Sequence, residues 1–421
     1  MKSEIDLTIT ALGAQGDGIA TTNDDPVYVP FALPGEIVRA LPERSKDGRI
    51  FAQLTEIVSP SPARVMPECP HFTECGGCVL QHFASSDYTK WKRDLITTAL
   101  ARKGITGVNV GPMQISPPGS RRRARFSVLK RKGKVSLGFN AKRSRQIVDM
   151  QTCTVLRPRI VGVLPELKAL LDATIANGDE IEVQVTDSDA GLDVWLIVDG
   201  ALDLEKRERL VAFAEAQDIA RVSWGEPPEL VAERRPPVID YGGIKLAPPT
   251  GAFLQATAEG ETSLITLICS WLRGSQAALD LYAGCGAFAL SLGKNMKVHA
   301  VDIAGDHLDA LDKARRFARN MREISVERRN LKRRPVLANE MKEFDALVFD
   351  PPRAGAKEQC EEIAASDLSR VVAVSCNPST FARDAQILVR AGFEMTELVP
   401  VDQFLWNPHV ELAALFERRA F

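Results

Sequence analysis

Val371-Val372-Ala373-Val374 carries an apolar run directly into Ser375-Cys376-Asn377-Pro378-Ser379-Thr380. A free cysteine is among the most buried residue types, and packing is its ordinary use. A packing cysteine, however, belongs inside a strand. Cys376 stands at the mouth of one, beside an Asn-Pro turn and a helix start, which predicts a lowered thiol pKa and a nucleophile. A nucleophile of this kind needs a partner that moves protons. His409-Val410-Glu411-Leu412-Ala413-Ala414-Leu415 reads as a strand, with Glu411 the one acid in an apolar run. An acid so placed is either paired structurally or raised in pKa for proton transfer.

A second group of residues reads as a binding edge. Asp280-Leu281-Tyr282-Ala283-Gly284-Cys285-Gly286 ends an apolar run, and Val301-Asp302 ends the next about twenty residues on. A Gly-x-Gly turn lets backbone approach a ligand, and the following acid can accept two ribose hydroxyls. The third glycine of a dinucleotide fingerprint is missing, so the pattern points to an adenosine-containing cofactor rather than to NAD in particular. Phe349-Asp350-Pro351-Pro352-Arg353 lies at another strand end, where two prolines stiffen the turn and hold the Asp350 carboxylate in place. NAD-binding sheets lack this feature, which resembles that of methyltransferases acting on nucleic-acid bases; the resemblance implies S-adenosylmethionine rather than a nicotinamide.

A third group is made of thiols. Cys69, Cys75 and Cys78 follow a C-x5-C-x2-C spacing with Gly76-Gly77 inside the turn, and Cys153 comes later. Four thiolates suit tetrahedral zinc or a [4Fe–4S] cluster, and the spacing does not separate them. It differs from the three-cysteine C-x3-C-x2-C pattern that leaves one iron open, so a structural role is expected. Cys269, Cys285 and Cys360 have no partners in the sequence and read as packing residues.

The elements that must position these groups divide the chain into three. Residues 1–58 alternate apolar and polar residues between glycine-rich turns, as a small β-barrel does. Residues 59–245 hold the cysteines, a helix from about Asp87 to Lys103, a hairpin of Arg123–Leu129 against Val135–Phe139 turning at Lys132-Gly133, a helix near Ile160–Ile175, and strands near Ile181–Val185 and Leu192–Val198. Residues 246–421 alternate near-continuous apolar strands (Ala278–Tyr282, Val298–Val301, Ala346–Phe349, Val371–Ser375) with helices, which predicts a parallel sheet covered on both faces. The fold class expected is therefore multidomain α/β.

With 53 basic and 55 acidic residues the net charge is −2, but the eleven Lys and Arg between Arg121 and Arg145 meet no Asp or Glu. Such a run reads either as a solvated face or, uncompensated, as a surface for phosphates. No stretch is long and apolar enough to span a bilayer, and Met1-Lys2-Ser3-Glu4-Ile5-Asp6 lacks a signal-peptide core, so a cytoplasmic protein without membrane partners is expected; the sequence does not give the oligomeric state, for which a monomer is the working assumption.

Taken together, DPPRAG at 350–355, SCNPSTFARD at 375–384 and HVE at 409–411 resemble the bacterial RNA (uracil-5-)-methyltransferases, which make 5-methyluridine in tRNA and 23S rRNA. The resemblance covers nearly the whole chain. It implies a TRAM domain (an OB-like barrel) at residues 1–58, a central α+β RNA-binding domain with an iron–sulfur cluster at 59–245, and a Rossmann-like class I methyltransferase at 246–421. It further implies Cys376 as nucleophile and Glu411 as base. Gln255, Tyr282, Asp302 and Asp350 would contact S-adenosylmethionine, and Cys69, Cys75, Cys78 and Cys153 would hold [4Fe–4S], with zinc the alternative. The expected substrate is structured RNA, 23S rRNA ahead of tRNA. Competing classes are an amino-group methyltransferase, which needs no thiol, a cytosine C5 methyltransferase, and a non-catalytic RNA-binding or redox-sensing iron–sulfur protein. This chain departs from the family's usual residues at Ala287, at Thr257 and in Asp402-Gln403-Phe404-Leu405-Trp406-Asn407-Pro408.

Overall fold

The C-terminal sheet is the element that gathers the chemistry. The structure, a computed structural model, describes residues 3–22, 25–44 and 48–418. Eight strands lie in the order Ile324–Arg328, Lys297–Asp302, Ala277–Leu281, Ala346–Phe349, Arg370–Ser375, Glu411–Arg418, Phe393–Asp402, Gln114–Ile115. Successive side chains of each central strand feed opposite faces: Ala346 and Val348 join one buried cluster, Leu347 and Phe349 the other. Both faces are covered, as the unbroken apolar runs require.

The sheet is not wholly parallel. The first five strands are, but Glu411–Arg418 runs antiparallel to both of its neighbours. Apolar content reports that a strand is buried on two sides and says nothing of its direction. The reversal has a consequence for the site: an antiparallel strand begins at the edge where parallel strands end. Glu411, the first residue of its strand, therefore stands at the same edge as Cys376.

Residues assigned by sequence to the middle of the chain also belong to this sheet. Gln114–Ile115 pairs in parallel with Val401–Asp402, and Ile96 and Leu100 of the helix Ser85–Ala101 pack among Leu347, Phe349 and Leu412.

The central sheet has seven strands ordered Ile147–Asp149, Lys134–Asn140, Arg123–Arg131, Glu180–Ser188, Gly191–Ile197, Arg221–Trp224, Glu229–Glu233. The expected hairpin turns at Lys132-Gly133, both in the left-handed region (φ 52° and 71°), as a two-residue turn between twisted strands demands. The helix expected near 160–175 is two helices, Pro158–Gly162 and Leu164–Thr174. Leu167 and Leu171 of the second and Leu210 and Phe213 of the helix Leu204–Ala216 share the core of this sheet.

At the N-terminus, six strands between Ile5 and Ser59 form a sheet that is antiparallel except where Asp25–Pro30 meets Ile50–Ser59. Leu7, Val27, Val29, Val38 and Ala40 fill its core. Among the described residues no helix is long and apolar enough to cross a membrane.

Candidate active site

Cys376 is half-buried at the end of Arg370–Ser375. Ser375 pairs with Leu412, which places Cys376 and Glu411 next to each other just beyond the paired ladder. Asn377 caps the following helix, Pro378–Arg390, by accepting from the Ser379 amide (3.1 Å), and Pro378 occupies the first helical turn. The turn is further tied to the Asp-Pro-Pro-Arg segment, because Asn377 Nδ2 and Thr380 Oγ1 both donate to the Arg353 carbonyl (3.1 and 3.2 Å).

The expected lowering of the thiol pKa is not found. Cys376 is pushed up to about 11, first by burial and then by the charges of Glu411 and Asp350, against which Arg353 acts in the favourable direction. The helix start was read from sequence; the two carboxylates that oppose it come from distant strands. Arg353 donates to His409 Nδ1 (3.2 Å), and His409 is lowered to about 4, chiefly by burial, so it is the neutral ring that receives this bond.

Glu411 is 3% exposed, and no ion pair holds it among the described residues. One oxygen accepts from Gln403 Nε2 (3.4 Å); the other, Oε1, has no partner. Burial raises its pKa well above the carboxylate range, and the charge of Asp350 raises it further. Asp350 is partly exposed, yet protein surrounds its carboxylate, and desolvation lifts it to about 7 against a bond from Gln255 Nε2 (2.9 Å). Gln403 Nε2 also donates to Gln255 Oε1 (2.6 Å). Glu411, Gln403, Gln255 and Asp350 thus form one hydrogen-bonded line beside the thiol.

The glycine turn lies along the same edge. Tyr282 has φ 60°, a left-handed conformation uncommon for a side-chain-bearing residue and one that a tight ligand-facing turn can impose. Gly284 N donates to Asp302 Oδ2 (2.9 Å) and Ala304 N to Asp302 Oδ1 (2.8 Å), so the acid at the second strand end braces the turn itself. Gly286 has φ 84°, and a Cβ there would lie 2.5 Å from Leu311 Cδ1; only glycine fits.

Two residues here were not singled out from sequence. Asp280 is fully buried under the turn with no ion-pair partner among the described residues, and its pKa is driven up, first by burial, with the Ala289 amide acting in the opposite direction. Its signal was present, an acid inside the apolar run Ala277–Leu281. Gln403 gave no signal beyond its neighbours.

The four cysteines come together. Cys69, Cys75, Cys78 and Cys153 line one cavity of about 260 Å³, with Gln81, Arg121, Gln403 and His409 also on its wall. The loop is pinned by Gly76 N donating to the Asn140 carbonyl (2.9 Å), and Gly77 N points at Cys75 Sγ (3.4 Å). Burial raises the Cys75 and Cys153 thiols and pushes Cys78 up to about 12. Among the described residues no three His, Cys, Asp or Glu side chains converge on one point as a single ion would need. By contrast, Cys285 and Cys360 are buried in the two apolar clusters, and Cys269 packs against one of them.

The basic run is less bare than its sequence. Arg122 is buried against Glu261 (2.8 Å), Arg125 pairs with Glu182, Lys130 with Asp172 (3.1 Å), and Lys142 (2.7 Å) and Arg143 with Asp17. Every one of these acids lies outside 121–145. Arg131, Lys132 and Lys134 at the hairpin tip, and Arg145, are exposed and have no ion pair among the described residues. Arg143 also lies over the Phe51 ring (3.9 Å from its centroid), beside a groove running from Arg49 and Phe51 to Asn407 and His409.

Comparison with known proteins places these observations. The family model described as tRNA (Uracil-5-)-methyltransferase matches residues 243–419, and the TRAM domain model matches residues 2–55. An uncharacterized RNA methyltransferase of Mesorhizobium japonicum is 42% identical over 411 residues, covering 98% of this chain and 97% of that one. The 23S rRNA (uracil(1939)-C(5))-methyltransferase RlmD of Vibrio cholerae is 31% identical over 424 residues, covering 98% and 96%. A solved structure, the Pyrococcus abyssi tRNA (uracil-54, C5)-methyltransferase in complex with S-adenosyl-L-homocysteine, shares the fold with a TM-score of 0.76 at 21% identity, over 98% of this chain and 100% of that one.

Proposed function

This chain belongs to the RNA (uracil-5-)-methyltransferase family and is a class I S-adenosylmethionine-dependent enzyme, and from that premise we propose that it methylates carbon 5 of a uridine in 23S rRNA through a covalent Cys376 adduct resolved by Glu411. When bound, S-adenosylmethionine supplies the methyl group as a sulfonium. Carbon 5 of uracil is too weak a nucleophile to take that methyl unaided. Addition of the Cys376 thiolate to carbon 6 makes an enolate, and carbon 5 then forms its bond to the methyl as the methyl–sulfur bond breaks. Glu411 removes the carbon-5 proton, the C5–C6 double bond re-forms, and the Cys376 sulfur leaves with its electron pair.

The juxtaposition of Cys376, Glu411 and Asp350 at the carboxyl edge carries this reading. Burial and the Asp350 charge raise the Glu411 pKa, and no counter-ion among the described residues offsets them, so the Glu411 carboxylate is a stronger base than an exposed one. Gln255, Tyr282, Asp302 and Asp350 are the residues we assign to the cofactor, since all four lie along one edge with the glycine turn.

We assign [4Fe–4S] to Cys69, Cys75, Cys78 and Cys153. The donor set fits, because four cysteines, the ligand type such a cluster takes, line one cavity. The cluster would tie residues 69–78 to the segment after the basic hairpin. The N-terminal sheet, which we read as an OB-like barrel, and the hairpin tip would hold the RNA in the cytoplasm, with Phe51, Arg143 and the groove to His409 leading toward the site. The name of the Vibrio cholerae relative supports 23S rRNA.

Total RNA from a strain lacking this gene, incubated with the enzyme and S-adenosylmethionine, should gain one 5-methyluridine in 23S rRNA, and Cys376→Ala should abolish it. Methylation of tRNA alone would move the substrate to the runner-up. Full activity of Cys376→Ala would remove the covalent mechanism and favour an amino-group methyltransferase.

A further inference from the structure

Gln403 follows Asp402 in the connection between Phe393–Asp402 and Glu411–Arg418, and its side chain is almost wholly enclosed. Its amide nitrogen serves two acceptors from different parts of the chain, Gln255 Oε1 at 2.6 Å and Glu411 Oε2 at 3.4 Å. Two features hold it there. A Cβ on Gly260 would lie 2.9 Å from Gln403 Cγ, so the helix Ala258–Trp271 presses against the amide through a residue with no side chain. The preceding Asp402 is anchored by Lys92 Nζ (2.5 Å) and Tyr88 Oη (2.7 Å).

An amide donates from one end only. With the nitrogen turned toward Glu411, Gln403 favours the carboxylate over the neutral acid. With the same nitrogen on Gln255 Oε1, the Gln255 nitrogen is left to face Asp350, as observed. An apolar residue of equal size would strip a donor from both acceptors.

Resting on the reading of Glu411 as the base, we infer that Gln403 is a positioning residue that aims the Glu411 carboxylate, its second bond to Gln255 Oε1 holding the amide nitrogen in that orientation. The titratable groups facing Glu411 are Asp350, from the end of Ala346–Phe349, and Cys376, from the end of Arg370–Ser375. Both are negative when ionised. Arg353 acts on Cys376 and is bonded to His409, not to Glu411. Gln403 is thus the one hydrogen-bond donor to Glu411 among the described residues.

The test uses the full-length enzyme with S-adenosylmethionine and total RNA from the deletion strain, alongside the same RNA carrying 5-fluorouridine. Gln403→Met should form the fluorouridine adduct within about threefold of the wild-type rate while turnover on ordinary RNA falls about 10- to 100-fold, the share expected of a misplaced base. The acidic limb of its turnover profile should move up by about one pH unit, and adduct on ordinary RNA should accumulate. Gln403→Glu keeps the shape, supplies no amide donor and should move the limb at least as far. Unchanged turnover and limb in both variants would overturn the inference. So would adduct formation and turnover falling together with the limb in place, because that is the mark of a general structural loss. Failure of the wild-type enzyme to form any adduct would instead remove the covalent reading beneath it.

Discussion

Buried charge is handled in two opposite ways in this molecule. Away from the site, buried ions are paired: Lys92 with Asp402, Arg122 with Glu261, Arg221 with Asp193, Arg64 with Glu36. At the carboxyl edge of the C-terminal sheet, Asp280, Asp350 and Glu411 have none among the described residues, and all three are raised in pKa. Pairing cancels much of the desolvation cost and fixes geometry; leaving a buried acid unpaired raises its hold on a proton. The first arrangement ties segments of the chain together, and the second is the one the proposed mechanism draws on. The difference is visible only in three dimensions, since every one of these acids sits in a similar apolar or mixed sequence.

Exchanging residues across this divide should give opposite readouts. Glu411→Gln removes an unpaired acid, so turnover should fall by about 10²- to 10⁴-fold while the melting temperature holds or rises and RNA adduct accumulates. Rapid turnover by that variant would take Glu411 out of the base role. Lys92→Met leaves Asp402 buried without its counter-ion, and should cost about 3–5 kcal/mol of stability in denaturant titration. Lys92→Met with Asp402→Asn should recover most of that loss; no recovery would mean the pair is not what anchors the segment.

A third contrast is in pH. A carboxyl raised in the folded state binds its proton more tightly there than in the unfolded chain. Its contribution to stability is full below the ordinary carboxylate range and is lost as pH rises through the folded value. For Asp350 that window runs from its ordinary 3.8 to about 7. Asp350→Asn should therefore lose less stability than wild type between about pH 4 and 7, as read by melting curves across that range. Identical curves would mean that Asp350 is not desolvated. The smallest effect is expected from Arg131→Ala, Lys132→Ala and Lys134→Ala together, where no folded-state pairing is lost. Stability should stay within about 0.5 kcal/mol, and the salt dependence of RNA binding should flatten by about 0.7 per phosphate contact removed. An unchanged slope would place the RNA elsewhere.

Much of the site was legible because local chemistry dictates it. Gly284 and Gly286 require left-handed turns, Asn377-Pro378 starts a helix, and the apolar runs of the C-terminal part are strands buried on both faces. The thiol pKa was misjudged, since burial and the carboxylates of Glu411 and Asp350 outweigh the helix start. The charge of the hairpin was overstated for a similar reason: the acids that neutralise Arg122, Arg125 and Lys142 arrive from residues 261, 182 and 17.

The sequence by itself determined which strands are buried, where their chemical residues sit at the ends, and that four thiols are available. Periodicity and residue type are local properties, and they survive without a fold. Only the tertiary structure decided that Glu411–Arg418 runs backward and so brings its first residue beside Cys376, and that Gln403 stands between Glu411 and Gln255. Strand direction and side-chain partners are set by the packing of segments that are not neighbours in the sequence, Gln403 and Gln255 being 148 residues apart, and a local pattern carries no information about that.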